Sequence, residues 1–327
     1  MNLSRREFLQ KCVGSMTYMA VSSAFPEVFA RPLSAESRVV EVRDDLLKRS
    51  GDDLNPGAAA RLLNEALRKL LRANSDISAW KKLFNPRDRV GIKVSCLPGR
   101  KLSSSVGLVH AITEGLGLAG IPAKNIIVWE RTARELKEAG FRLSRHGVRV
   151  AGTDEYEGGG YDNRIAFAGS VGTCFSVLME QVDVVISVPV LKDHDIAGIS
   201  AGMKNFYGAI YNPNKYHGNG CNPFVADLCT HPLIRDKLRL VVLDASRVQL
   251  QNGPAYFHRY ALEYGGLIVG TDPVAVDATG WRIVDRERIK MGLKTLKQMN
   301  RQPGYIATAE KRGLGHMEEK FIEQIVL

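Results

Sequence analysis

The sequence predicts an α/β protein built on a mainly parallel open sheet with helices on both faces. Short apolar runs alternate along the chain with stretches of helical periodicity. The runs are continuous rather than alternating, as in strands buried on both sides. Polar residues collect directly after them: Lys93, Glu130 with Arg131, Lys192 with His194, Asp244 and Asp272. In a parallel sheet such strand ends share one edge, where open α/β sheets bind ligands.

The first thirty residues stand apart. Ser4-Arg5-Arg6-Glu7-Phe8-Leu9 looks like a twin-arginine export signal; a weakly apolar segment from Cys12 to Phe25 follows, and Val28-Phe29-Ala30 offers a small-residue cleavage site. The segment is too short and too polar for a stable transmembrane anchor. The resemblance implies the twin-arginine translocase as a partner, Arg5 and Arg6 as the recognition pair, and a periplasmic or otherwise exported product. Cargo of this route often acquires a cofactor before export. Residues 31–327 then form a single α/β domain.

Within it, Asn55-Pro56 supplies an N-cap and first residue for a helix whose apolar face is Leu62, Leu63, Ala66, Leu67, Leu70 and Leu71. Arg89 to Cys96 is a buried strand carrying Lys93, and Ser103-Ser104-Ser105 caps a helix to about Leu118. Asn125 to Trp129 is the next strand, with a helix from about Ala133 to Gly140. The weakly patterned stretch 141–171 is expected to be a small excursion or lid. Val184 to Val190 is a strand that delivers Lys192, Asp193, His194 and Asp195. Ile199, Met203, Phe206 and Ile210 then recur at helical spacing, which would turn Ser200, Lys204, Tyr207 and Tyr211 to another face. Arg239 to Leu243 and Gly266 to Gly270 are further parallel strands, Val274 to about Ile289 a helix, and the tail from Met291 an amphipathic helical segment.

These residues resemble the domain of unknown function 362 family. The matching signatures are Lys93, Leu191-Lys192-Asp193-His194, Ser200 through Gly208 (SAGMKNFYG), Asp244, Gly253-Pro254 and Asp272 through Asp277 (DPVAVD), over a core of about residues 88–280. Relatives more often read Lys-Thr-His, so Asp193 is a departure that sets a carboxylate between Lys192 and His194. Some relatives carry a cysteine-rich ferredoxin-like segment, and this chain has none. The family implies an architecture and site positions but no settled reaction.

Lys192, His194 and Lys204 are the candidate catalytic residues, suited to a small anionic or carbonyl ligand, with the lysines as charge and His194 as acid, base or metal ligand. The competing reading is a scaffold in which Asp193, Asp195 and Asp244 neutralise the lysines. Lys93, Asn205, Ser200, Asp244 and His217 are candidate ligand-binding residues. Asp272 and Asp277 are candidate oxygen ligands for a hard cation, or simply caps and turns. Gly198 and Gly202 allow close approach of backbone to a ligand or of helix to sheet.

The run from His217 through Cys221 to Cys229 and His231 invites a metal site, but eight helical residues would separate the two cysteines by about 12 Å, too far for one zinc or a disulfide. Cys96 and Cys174 are expected as core thiols. A metal ion or an acquired redox cofactor is compatible with the sequence, and no iron–sulfur motif lies within it. The net charge of +10 is spread out, with no basic stripe for nucleic acid. Two functions follow: an exported enzyme, redox chemistry included, or a non-catalytic ligand- or metal-binding accessory protein working with redox partner proteins.

Overall fold

The computed structural model describes residues 36–156 and 159–327, so the predicted signal with Arg5 and Arg6 lies outside the described residues. Strand β1 (Ser37–Arg43) leads to helices α1 (Pro56–Leu71) and α2 (Asp76–Leu83), then β2 (Val90–Val94), α3 (Val106–Leu118), β3 (Ile126–Glu130), α4 (Ala133–Glu138) and β4 (Arg149–Gly152). A hairpin, β5 (Ala166–Ala168) with β6 (Val171–Thr173), and α5 (Val177–Gln181) precede β7 (Val184–Val188), β8 (Val190–His194) and β9 (Gly198–Ser200). Next come α6 (Phe224–Cys229), α7 (Pro232–Arg235), β10 (Leu238–Gln249), β11 (Ala261–Gly270), α8 (Pro273–Lys290), α9 (Gly304–Lys311) and β12 (Ile322–Val326).

The caps read from the sequence are in place. The Asn55 side chain accepts from Ala58 N ahead of Pro56 and Ser105 from Leu108 N; Thr132, not read as a cap, accepts from Glu135 N in the same way. Each satisfies a backbone donor that the first turn leaves without a partner.

The main sheet runs β12-β1-β11-β10-β7-β2-β3-β4, with β8 and β9 added beyond the end of β7. Alternate strand residues feed two cores. Val39, Ile127, Val185, Val241 and Ile268 face one layer, which includes α6, α8 and α9. Val40, Val128, Ile186, Val242 and Val269 face the other, which includes α1, α2 and α3. From β2 the chain steps outward to β3 and β4, then returns to place β7 on the other side of β2. The strand order therefore reverses between β2 and β7, and a crevice opens there at their C-terminal ends.

Four expectations change. The 141–171 stretch is more than an excursion, since β4 extends the sheet parallel to β3. No α-helix follows Asp195: β8 and β9 form an antiparallel hairpin, and Lys204–Ala209 is a 3-10 segment. Ile199, Met203, Phe206 and Ile210 are all fully buried; this irregular path buries them without helical geometry. The tail closes with β12 parallel to β1 rather than with a helix. Finally, β11 is antiparallel to both neighbours, Gly270 lying opposite Val241 and Val39. That reversal carries Asp272 to the edge away from the crevice.

Asp193 follows from strand alternation. Its neighbours Lys192 and His194 face the crevice, whereas its own carboxylate, fully buried, accepts from Gly253 N at 3.1 Å and Arg301 at 3.0 Å and lies 3.6 Å from Arg288. Arg288 is itself fully buried and bonded to the Leu250 and Lys294 carbonyls. Removing one partner of such a pair strands the other charge. Asp193→Asn should therefore lower stability by about 3 kcal/mol, read as a shift of the urea unfolding midpoint; a midpoint unmoved from wild type would disprove the account.

Candidate functional site

At the crevice lies a cavity of ≈ 280 Å³. Strand β2 brings Lys93 and, two residues on and so on the same side, Ser95; β3 brings Glu130 and Arg131. Strand β8 brings Lys192 and His194, β9 brings Ser200, and the irregular segment after it brings Lys204, Asn205, Tyr207 and His217. Of the residues predicted from sequence, Lys93, Lys192, His194, Ser200, Lys204, Asn205 and His217 line this one space.

The floor is an ion pair. Lys93 Nζ donates to Glu130 Oε1 at 2.6 Å and to the Val94 carbonyl at 2.5 Å, while Glu130 Oε2 accepts from Cys96 N at 3.0 Å. Asn205 Nδ2 donates to the Lys93 carbonyl at 2.9 Å and to Ser187 Oγ at 3.0 Å, so it anchors the wall to the floor.

The other two lysines differ. Lys192 Nζ donates to Ser95 Oγ at 3.1 Å, and among the described residues no carboxylate lies within ion-pair distance of it. Burial pushes its pKa down to about 8, against the pull of Glu130. Lys204 Nζ lies 3.2 Å from His217 Nε2 and 4.5 Å from the centre of the Tyr207 ring, and burial likewise pushes it down to about 8. Asp195, the nearest acidic side chain in sequence, is largely exposed and accepts from Ile196 N.

Both histidines have assigned tautomers. His194 Nδ1 lies 3.3 Å from the backbone N–H groups of Ile196 and Ala197 and 3.2 Å from Asp195 Oδ1; on the strength of the two amide donors we assign it as an acceptor, with the proton on Nε2. Burial first, then the nearby Lys204, hold its pKa at about 2, so the ring is neutral. His217 Nδ1 lies 3.0 Å from the Pro213 carbonyl and donates to it, which leaves Nε2 as the acceptor toward Lys204. The two rings stack at 5.6 Å. The cavity thus presents two ammonium groups and one imidazole N–H, an array that an oxyanion would complete.

Three predicted residues lie elsewhere. Asp244 is fully buried, its oxygens taken by Arg49, Ser105 N and Ser246. Asp272 caps α8 through Val274 N and Ala275 N and accepts from Ser37 and His316 N. Asp277 accepts from Gly202 N at 2.6 Å and Met203 N at 3.2 Å, and burial raises its pKa to about 7. The two aspartates are structural groups with separate partners, and among the described residues no three His, Cys, Asp or Glu side chains gather as a metal site. Gly198 and Gly202 are there for packing: an added Cβ would sit 2.3 Å from the Arg301 carbonyl or 2.8 Å from Asp277 Oδ1. Cys96, Cys174, Cys221 and Cys229 are free thiols, and Cys174 is only half-buried.

Ser95, Arg131 and Tyr207 belong to the site but were not singled out for it. Ser95 could have been, since it follows Lys93 at the strand period of two. Gly208 also matters, because an added Cβ would lie 2.5 Å from Glu130 Oε1 and 2.7 Å from Lys93 Nζ. Gly208→Ala should therefore split the floor ion pair and cost about 2 kcal/mol; thermal unfolding at wild-type temperature would contradict this.

A family model described as Domain of unknown function (DUF362) matches residues 93–282. No match is found among curated proteins. Among solved structures, a crystal structure of a protein from Thermotoga maritima is similar at 11% identity and a TM-score of 0.42, covering 72% of this chain and 60% of that one. The chain thus spans less than two thirds of that protein's length. The family match runs from the floor lysine through both cavity lysines and both histidines, and over most of the domain the chain belongs to the DUF362 family.

Proposed function

We propose that this chain is an exported protein that binds a small anionic ligand in the β2/β7 crevice, with Lys192, His194 and Lys204 as the groups that hold it. One observation carries the reading: two buried lysines, without carboxylate partners among the described residues, face the same cavity as the His194 imidazole. A buried ammonium is costly unless a counter-charge reaches it. An anion would supply that charge, and a cavity of ≈ 280 Å³ suits a small one. The neutral histidines at its wall suit proton transfer to or from the bound molecule.

Oxalate, titrated calorimetrically, is a direct probe. Binding should be strong up to neutral pH and weaken as pH rises through about 8, where Lys192 and Lys204 lose their protons. Lys192→Met should abolish it. The sign for stability is opposite. A lysine whose folded pKa lies below its unfolded value costs stability at neutral pH, and the cost fades between about 8 and 10.5. Lys192→Met should therefore unfold at a higher temperature than wild type at pH 7 while losing oxalate. A variant that still binds oxalate would sink the proposal.

Export rests on Arg5 and Arg6. Changing both to Lys should retain the protein in the cytoplasm of a host with an active twin-arginine translocase; undiminished export would reject that route.

A further inference from the structure

Lys204, His217 and the Pro213 carbonyl form a chain of three: amine, imidazole, and a fixed acceptor behind the imidazole. Nζ meets Nε2 at 3.2 Å, and Nδ1 meets the carbonyl oxygen at 3.0 Å. A nucleophile beside a base that a third group orients is the general arrangement for covalent catalysis. If Nε2 takes a proton from Lys204, both N–H groups of the resulting imidazolium already have partners. The Tyr207 ring, held edge-on to His217 at 5.3 Å with its hydroxyl donating to the Tyr216 carbonyl at 2.7 Å, keeps imidazole and lysine in place. Lys192 and the His194 N–H line the same cavity and remain available for a second group of the ligand.

Building on the anion-binding reading, we infer that Lys204 is a nucleophile that forms an imine with the carbonyl carbon of a small carbonyl acid, a 2-oxo acid in kind, whose carboxylate Lys192 and His194 hold. The step needs no other reagent. His217 takes one proton from the Lys204 ammonium, and the freed lone pair attacks the carbonyl carbon while the C=O π pair moves to oxygen. The proton on His217 and a second from Nζ pass to that oxygen, which leaves as water as the C=N bond forms. The iminium keeps the third proton and the positive charge. The lowered pKa of Lys204 helps by making the amine accessible near neutral pH.

The test is reductive trapping on the full chain with glyoxylate and cyanoborohydride, mapped by peptide mass spectrometry, with oxalate titration run in parallel. The expected result is a single dominant adduct at Lys204. Lys204→Arg should lose the adduct, and an undiminished adduct in that variant would overturn the assignment; the oxalate titration is read on the wild-type chain. His217→Gln should slow trapping by about 100-fold at pH 7, with the gap closing at high pH, where the amine is free without a base; a merely structural role would leave an equal gap at every pH. Oxalate binding with label scattered over surface lysines, or placed on Lys192, would overturn the nucleophile and leave the anion site standing. A Lys204 adduct without oxalate binding would sustain the nucleophile and overturn the anion site. Neither adduct nor oxalate binding would overturn both.

Discussion

Three lysine ammonium groups share one small cavity, and among the described residues only that of Lys93 has a carboxylate in contact. That imbalance is the constraint on which the rest of the site depends. A pKa lowered from 10.5 to about 8 corresponds to a penalty on the order of 3 kcal/mol for each of Lys192 and Lys204. Set against a typical domain stability of about 5–15 kcal/mol, this is a large burden to carry without use. Ser95 holds the amine of Lys192, His217 and Tyr207 that of Lys204, and a bound counter-charge would remove the penalty.

Strand alternation is how the chain keeps that imbalance local. Along β8, Lys192 and His194 face the cavity while Asp193 faces the other way, into Arg288 and Arg301. The acidic residue nearest the lysines in sequence is thereby spent on a separate network. Asp244 is withdrawn in the same manner, onto Arg49 and Ser105. Asp193 and Asp244 are therefore turned away from the lysines, each with its own buried donors, while Asp195, the third aspartate of the scaffold reading, lines the cavity as a largely exposed carboxylate.

The site was legible where a short-range rule governs it. Continuous apolar runs located β2, β3, β7 and part of β10, and the caps at Asn55 and Ser105 located two helices. Lys93, Lys192 and His194 followed from their place at strand ends. What could not be read was direction. Nothing in Gly266 to Gly270 says that β11 runs antiparallel, and that one reversal moves Asp272 to the opposite edge. The flanking strands β1 and β12 were missed because each is stabilised by distant partners, β1 by β11 and β12 by β1.

The segment between Gly198 and His217 shows why periodicity failed at the place that matters most. A regular helix there would satisfy its own backbone and leave few amides for other partners. Instead the Gly202 and Met203 amides point to Asp277, and Asn205 reaches the carbonyl of Lys93. Gly208 passes close over the floor ion pair, and the chain turns at Pro213 so that its carbonyl meets His217. The Gly202, Met203 and Pro213 contacts use backbone groups that a helix would have used internally, while Asn205 reaches the floor through its side chain. The irregularity is therefore tied to the site: the apolar residues still find the core, while the backbone positions the amine and its base.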